Sequence, residues 1–518
     1  MPDMLLGVLG AGTMGAGIAL TGLLAGLRVV LVEVSPQIRE QASTYIRQHL
    51  QRKGQEQRAG MLTLSAEAQA LSGCQVVVEA IPEDLPLKQA TFAELDRLCP
   101  PPAVLATNTS TLTVGAIASA AASRFRVAGM HFFNPAPVMP LVEVARGAET
   151  SDQAIQTLVE LAQKLGKTPV VTGDTPGFIV NRVARPFYGE ALRLLGEGTA
   201  SHQQIDLLAR LGAGFPLGPF ELMDLIGIDV NLAAAQAMFA ASYSEPRFRP
   251  HRIQEQMVQR GALGRKAGRG FYRYEQGTRV RDDPDLPPQR PGGGFVLLSE
   301  GHWAPGLGQR LVQHGYSLSE TGGDSPLVGI IAAGRGEGGL AVARRYDRGL
   351  AAEVPLLCQM ANLTWSAVAE RVERWERLVG FDGLFFAEGK AVSLVAGPQT
   401  AEAIRERVDA WVRGLGKLPI WLVETPGLVL PRLVCCLANE AAFALQDGVA
   451  DAAGIDTAMQ LGLNHPRGPL AWAASLGYAR VVAVLDHLWD EYHEERYRVA
   501  PLLRRWARQN VSEGGESL

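Results

Sequence analysis

Two sets of residues have the types and spacing to do chemistry: a histidine and a glutamate 12 residues apart in apolar surroundings, and a glycine-rich loop near the N-terminus. His131 lies in Gly129-Met130-His131-Phe132-Phe133-Asn134-Pro135, and Glu143 lies in Leu141-Val142-Glu143-Val144. A carboxylate inside such a run costs free energy unless it is paired, and a His–Glu pair satisfies both groups. The carboxylate then fixes the imidazole tautomer, which suits the ring to take a proton from an alcohol while a hydride departs. Taken alone, His131 reads equally well as a packed core histidine.

The glycine loop is Gly10-Ala11-Gly12-Thr13-Met14-Gly15. It fits G-x-G-x-x-G, in which the glycines permit a tight turn, close approach of the backbone to a pyrophosphate, and packing of the following helix on the strand. A buried strand, Leu5 to Leu9, precedes it. A small-residue helix runs to about Gly26, and a second apolar strand, Arg28 to Val32, follows. Glu33 ends that strand 23 residues after Gly10. Its carboxylate accepts from a ribose hydroxyl and repels a 2′-phosphate, so the expected cofactor is NAD rather than NADP. The competing readings are a structural glycine turn and an exposed carboxylate at a strand end.

These residues need a scaffold. Further strands at Val76 to Glu79 and Val104 to Thr107, with helical patterns between, predict a parallel doubly wound α/β sheet of Rossmann type ending near Gly173. After Thr175-Pro176-Gly177 the apolar spacing becomes helical through Phe178, Val183, Phe187 and Leu192. The segment RDDPDLPPQRPGGG from Arg281 is rich in proline, glycine and charge, and reads as a linker. The second half then repeats the first. LGKTPVV at Leu165 returns as LGKLPIW at Leu415, and an offset of 250 carries Thr175-Pro176-Gly177 onto Thr425-Pro426-Gly427, Glu190 onto Glu440 and Gly218-Pro219 onto Gly468-Pro469. The expected organisation is an NAD-binding domain over 1–174, a helical domain over 175–280, a linker over 281–294, a degenerate Rossmann-like domain over 295–415 and a second helical domain over 416–510.

Bulk properties narrow the partners. The chain has 518 residues, of which 47% are hydrophobic and 20% charged, a composition that excludes disorder and fibrous structure. A net charge of −4 gives no basic footprint for nucleic acid. No run of about 18 apolar residues suggests a membrane span, and the N-terminus lacks the cationic region of a signal peptide. Cys74, Cys99, Cys358, Cys435 and Cys436 have no metal-binding or CxxC spacing, so no metal is expected and a reduced, cytoplasmic setting fits. Adjacent Cys435 and Cys436 read as buried small hydrophobes.

The order GAGTMG, NTS at Asn108 to Ser110, HFFNPAPVMPLVEV, DTPGFIVNR and GPFELMDLIG resembles the L-3-hydroxyacyl-CoA dehydrogenase family over Leu5 to about Tyr274. The extra C-terminal half resembles the long form associated with bacterial phenylacetate degradation, acting on 3-hydroxyadipyl-CoA or 3-hydroxybutyryl-CoA. The resemblance implies that His131 is the general base on the 3-hydroxyl, that Glu143 orients it, and that Ser110 and Asn181 hydrogen-bond the reacting oxygens. It also implies cofactor contacts from Gly10, Gly12, Thr13, Met14, Gly15, Glu33, Glu83 and Lys88. Read locally, Glu83 and Lys88 are a solvated helix start, Ser110 a helix N-cap and Asn181 a turn residue. The competing functions are a sugar-acid dehydrogenase of gulonate type and a non-catalytic NAD-binding protein.

In the second half, Asn181 falls on Pro431, Glu143 at about Ser393 and, by matching AGMHFF to DGLFF, His131 on Phe385. The glycine fingerprint corresponds roughly to Ser299–Ala304, where only Gly301 remains. One active site per chain is therefore expected. Leu433, Leu437, Ala441 and Leu445 give the second helical domain an apolar stripe that can pair with the first, so the chain is expected to be a monomer with an internal pseudo-dimer, or a homodimer.

Overall fold

Short apolar runs rich in valine and leucine form the first sheet because both of its faces are covered by helices. The computed structural model describes residues 4–280, 283–290, 292–299, 301–320 and 326–514. The strands are β1 (Leu5–Leu9), β2 (Arg28–Val32), β3 (Leu62–Ser65), β4 (Val76–Glu79), β5 (Val104–Thr107), β6 (Val127–Phe132), β7 (Leu141–Arg146) and β8 (Thr168–Gly173). They lie in the order β3-β2-β1-β4-β5-β6-β7-β8. The order reverses direction at β1 and β4, which opens a crevice beyond their C-terminal ends where such folds take a dinucleotide.

The sequence pattern implies a wholly parallel sheet, and the structure departs from it once. β6 and β7 run antiparallel, with His131 directly opposite Glu143. The connection, Phe133–Pro140, is too short for the helical crossover that a parallel pair requires, so the chain turns straight back.

The helices that follow, from Val180–Val183 and Arg185–Gly196 to Arg252–Gln259, form the helical region, which closes with the small hairpin β9 (Tyr274–Glu275) and β10 (Thr278–Arg279). A second sheet then repeats the plan: β11 (Phe295–Leu298), β12 (Ser317–Ser319), β13 (Val328–Ile331), β14 (Leu356–Gln359), β15 (Leu378–Phe381), β16 (Ala391–Ala396) and β17 (Leu418–Leu422). Its order is β12-β11-β13-β14-β15-β16-β17, and again one pair, β15 with β16, is antiparallel. Helices from Leu430–Gln446 to Pro501–Gly514 complete the second half. Among the described residues no single helix is long and apolar enough to cross a membrane; only the helices Pro219–Ile226 and Ile228–Ala241, bent by 98°, meet that test as a pair.

Contacts divide the chain into two compact units, one extending to Val183 and including Ala444–Asn464, the other formed by Ala184–Phe443 and the residues from His465 onward. Each unit therefore contains one large sheet, the second also the β9–β10 hairpin, and helical residues from the other half of the sequence. In the first, Gly173 N–H donates to Val449 O at 2.7 Å. In the second, Val423 N–H donates to Thr199 O at 3.0 Å. The offset of 250 converts one bond into the other with the halves exchanged.

Inside the second unit the helical regions of the two halves are tied by buried charge. Arg432, fully buried, donates to Glu190 at 2.7 Å and to Glu197 at 2.9 and 3.0 Å. Arg496 and Tyr497 also reach Glu190, at 3.2 and 2.8 Å. Burial opposes ionisation of Glu190, but Arg432, Arg496 and Arg193 outweigh it and hold its carboxyl down to about 2. Because the folded value lies below the ordinary 4.5, this stabilisation is complete above about pH 4.5 and is lost as pH falls toward 2. Arg432→Ala, which leaves Glu190 partly unmatched, is expected to cost about 3–5 kcal/mol at neutral pH. Calorimetry against pH checks both statements, since the gap in melting temperature between wild type and Glu190→Gln should close on acidification.

Candidate active site

The register of β6 and β7 puts the His131 and Glu143 side chains on one face, and His131 Nδ1 lies 2.7 Å from Glu143 Oε2. Glu143 has no exposed surface, and its other oxygen, Oε1, accepts from the backbone N–H groups of Ile179 at 3.0 Å and Val180 at 2.9 Å. An unpaired buried carboxylate costs several kcal/mol, whereas three charge-assisted bonds at about 1.5–3 kcal/mol each offset that cost. A carboxylate already accepting two N–H groups is an acceptor, so Nδ1 donates to it and Nε2 carries the lone pair. Phe133 and Phe178 flank the imidazole with ring centroids at 4.6 and 5.9 Å.

The two amides are aimed by a strained turn. Gly177 has φ +75° and Phe178 has φ +48°, a region that suits glycine and is costly for a bulky residue. Burial of the Phe178 ring, 1% exposed, holds it there. Asn181 comes directly after, on the short helix Val180–Val183. Asp174 ties the same turn to the helix Val114–Ala118 by accepting from Val114 N–H and Gly115 N–H, each at 2.7 Å.

Ser110 lies on the loop after β5, and the helix that follows is capped by Thr113 rather than by Ser110. The loop is gathered by Glu83, whose Oε1 accepts from Ser110 N–H at 3.0 Å, Thr111 N–H at 3.1 Å and the Thr109 hydroxyl at 2.5 Å. Burial opposes ionisation of Glu83, yet the Thr109 bond, Lys88 and Thr111 outweigh it and hold the carboxyl below the usual range. Lys88 is 1% exposed and bonds Glu79 at 2.6 Å and Glu83 at 3.4 Å. Lys88 is thus a buried, ion-paired group rather than a solvated one, whereas Glu83 stays on the exposed side, where it gathers the Ser110 loop. Asn108 Oδ1 accepts from Phe132 N–H at 2.9 Å, which joins that loop to the strand carrying His131.

The glycine loop has the space that a dinucleotide needs. Gly10 has φ +94°, and a Cβ there would lie 2.7 Å from Ala80 O; a Cβ on Gly15 would lie 1.8 Å from Gly10 O. A Cβ on Gly12 would meet nothing within 4 Å. Gly12 is also the N-cap of the helix Thr13–Leu24, which has no side-chain cap and so presents unpaired N–H groups to an anion. Glu33 follows β2 and receives Ala11 N–H and Ser35 N–H, each at 3.0 Å, which fixes its carboxylate beside the loop. These residues fit a dinucleotide.

With that geometry in place, comparison with known proteins is decisive. Residues 5–175 match the family described as 3-hydroxyacyl-CoA dehydrogenase, NAD binding domain, and residues 177–274 and 427–515 match 3-hydroxyacyl-CoA dehydrogenase, C-terminal domain. The chain belongs to the 3-hydroxyacyl-CoA dehydrogenase family. It is an NAD-dependent oxidoreductase of that family. Over 96% of both chains it is 37% identical to a 3-hydroxyadipyl-CoA dehydrogenase from Escherichia coli K12. A crystal structure of 3-hydroxybutyryl-CoA dehydrogenase from E. coli K12 covers 99% of this chain and is itself covered fully, with a TM-score of 0.83 at 35% identity. A probable 3-hydroxybutyryl-CoA dehydrogenase from Bacillus subtilis matches 52% of this chain and 97% of its own, at 38% identity.

In this 3-hydroxyacyl-CoA dehydrogenase the second half keeps the frame and not the chemistry. Ser393 occupies the place of Glu143, since each is the third residue of its strand and they pair with Ile420 and Val170 respectively. Extending the β15–β16 register puts Asp382, not Phe385, opposite Ser393. The two Phe-Phe dipeptides invite the Phe385 alignment, but the connection after Asp382 is one residue shorter than that after His131. Burial raises the Asp382 carboxyl to about 7 against the opposing bonds from Phe385 N–H and Leu384 N–H. Trp303, 4% exposed, stands in the loop after β11, and a Cβ on Gly334 would meet its ring at 2.1 Å.

Sequence reasoning missed the amides of Ile179 and Val180 because backbone donors leave no mark in residue identity; the Pro176-Gly177 turn just before them is the signal the sequence offers. If Gly12 leaves room for pyrophosphate and nothing else, Gly12→Val should fold normally, its φ of −62° suiting any residue. We expect an unchanged melting temperature and NAD affinity reduced roughly 100-fold, about 2.7 kcal/mol, by titration calorimetry.

Proposed function

We propose that the first half oxidises a (3S)-3-hydroxyacyl-CoA to the 3-oxoacyl-CoA with His131 as general base. The observation that carries this reading is the buried His131–Glu143 pair, in which Nδ1 is committed to the carboxylate at 2.7 Å and Nε2 remains as the base. NAD, when bound, supplies the acceptor for the hydride that leaves C3. His131 Nε2 takes the hydroxyl proton as the C3–H bond breaks and the carbonyl forms, and Glu143 stabilises the resulting imidazolium. Ser110 and Asn181 hydrogen-bond the reacting oxygens. Gly10, Gly12, Thr13, Met14 and Gly15 receive the pyrophosphate, and Glu33 the adenosine ribose. On the nicotinamide side Glu83 supplies the contact, while Lys88, engaged by Glu79 and Glu83, acts through Glu83.

The full-length likeness to proteins named for 3-hydroxyadipyl-CoA and 3-hydroxybutyryl-CoA supports those two substrates and does not favour a sugar acid; a place in phenylacetate catabolism rests on the resemblance of the sequence to the long form alone. The five unpaired, buried cysteines support a reducing, cytoplasmic setting. Domain limits of 1–174, 175–280, 295–415 and 416–510 rest on the change of apolar spacing and on the internal repeat, and the linker 281–294, of which 281, 282 and 291 lie outside the described residues, on its proline, glycine and charge. The Glu190–Arg432 ties between its helical regions support a monomer that acts as its own dimer, with one site per chain.

Following NADH formation with each thioester, with gulonate, and with NAD or NADP decides the reading. We expect NAD-dependent turnover of an acyl-CoA and a loss of about 10²–10⁴-fold in kcat for His131→Gln. Turnover of gulonate alone, or an indifferent His131→Gln protein, would overturn it.

A further inference from the structure

We infer that the catalytic geometry of the first half is set in part by the second half, with Gly462 and Asp447 as positioning residues for Glu143 and Asn181. The inference rests on the function proposed above and assigns a role to the half that has lost the chemistry.

The segment Ala444–Asn464 belongs to the same compact unit as the first sheet, although more than 250 residues separate it from His131. Its helix, Ala452–Leu463, packs against the helix Val180–Val183 and against β7 and β8. Those are the elements that supply Val180 N–H, Asn181 and Glu143. Gly462 sits where they meet: a Cβ there would lie 2.9 Å from Leu141 Cδ2 and 3.0 Å from Val180 Cγ2. Leu141 and Val180 are 0% and 2% exposed, and Val180 is a short branched side chain, so a larger residue at 462 displaces its backbone. That backbone carries one of the two amides on Glu143.

The other side of Asn181 is held in the same way. Arg182, 8% exposed at its side chain, bonds Asp447 Oδ2 at 2.6 Å. Asn181 thus lies between one residue wedged by Gly462 and another bridged to Asp447. Gly173 N–H to Val449 O, at 2.7 Å, fixes the strand end just before the turn.

The repeat supplies an internal control. At the offset of 250, Gly462 corresponds to Gly212, where a Cβ would lie 2.5 Å from Leu430 Cδ1, the counterpart of Val180. Arg182–Asp447 corresponds to Arg432–Glu197, at 2.9 Å. The docking is therefore a feature of the duplicated fold in both directions. Only one direction ends on a histidine with a carboxylate, because Ser393 and Pro431 stand at the places of Glu143 and Asn181. Selection for turnover in the first half then acts on residues 447–462 of the second.

Four variants of the full-length chain test this: Gly462→Ala, Gly462→Val, Asp447→Ala and Asp447→Glu. Displacing reacting groups by about 1 Å costs on the order of 10²-fold. We expect kcat to fall roughly tenfold in Gly462→Ala and roughly 100-fold in Gly462→Val, with KM for NAD unchanged, because the glycine loop is not part of this contact. Asp447→Ala should lose kcat, and Asp447→Glu should retain it, since Glu197 closes the matching bridge. Hydrogen exchange at Ile179 and Val180 gives a second readout that does not need turnover, and so separates failure of this inference from failure of the proposed reaction. Faster exchange confined to these two amides in Gly462→Val and Asp447→Ala supports it. Unchanged exchange, exchange raised equally throughout the first sheet, or kcat retained in Gly462→Val would overturn it.

Discussion

Burial of Glu143 is the constraint from which most of this structure follows. A carboxylate with no exposed surface in the middle of a sheet needs several donors at fixed positions, and β7 alone supplies none of them. One comes from His131, which requires that the chain reverse after β6. Two come from Ile179 and Val180, which requires a turn through positive φ at Gly177 and Phe178. The antiparallel strand pair, the strained turn and the flanking phenylalanines are all parts of one solution. Its by-product is an imidazole with one nitrogen committed and the other available to a substrate hydroxyl.

The same turn exists in the second half, where nothing requires it for chemistry. Leu428 has φ +51° at the place of Phe178, and β15 and β16 reverse as β6 and β7 do, yet Ser393 carries no charge to satisfy. What the duplicate retains is the backbone frame and the exchanged docking of its helices; what it has lost is the glycine spacing, with buried Trp303 standing in that loop, and the paired side chains. Separate demands account for this. Packing between the halves depends on Gly462, Gly212, Arg432 and Glu190, while turnover depends on residues that only one half must keep.

Much of this was legible from residue types. The glycine spacing reports steric needs that the structure reproduces at Gly10 and Gly15, and strands β1, β2, β4 and β5 fall where apolar runs predict them. The pairing of His131 with Glu143 follows from the cost of an apolar-embedded carboxylate. Three features were not legible, for different reasons. The Ile179 and Val180 amides are backbone groups, identical in every residue. Asp382 was hidden because a one-residue change in loop length defeats matching by similar dipeptides, and only strand register resolves it. The docking of Ala452–Leu463 on the first sheet was hidden because helical periodicity identifies an apolar face but not what covers it.

A double-mutant cycle on kcat, with His131→Gln, Glu143→Gln and the two combined, tests most directly whether the pair works as a unit. Residues that act through one another do not contribute independently. If Glu143 matters only because it fixes His131, the combined protein falls no further than His131→Gln alone, within about twofold. Losses that multiply would show two independent contributions and would contradict the central role of this pair.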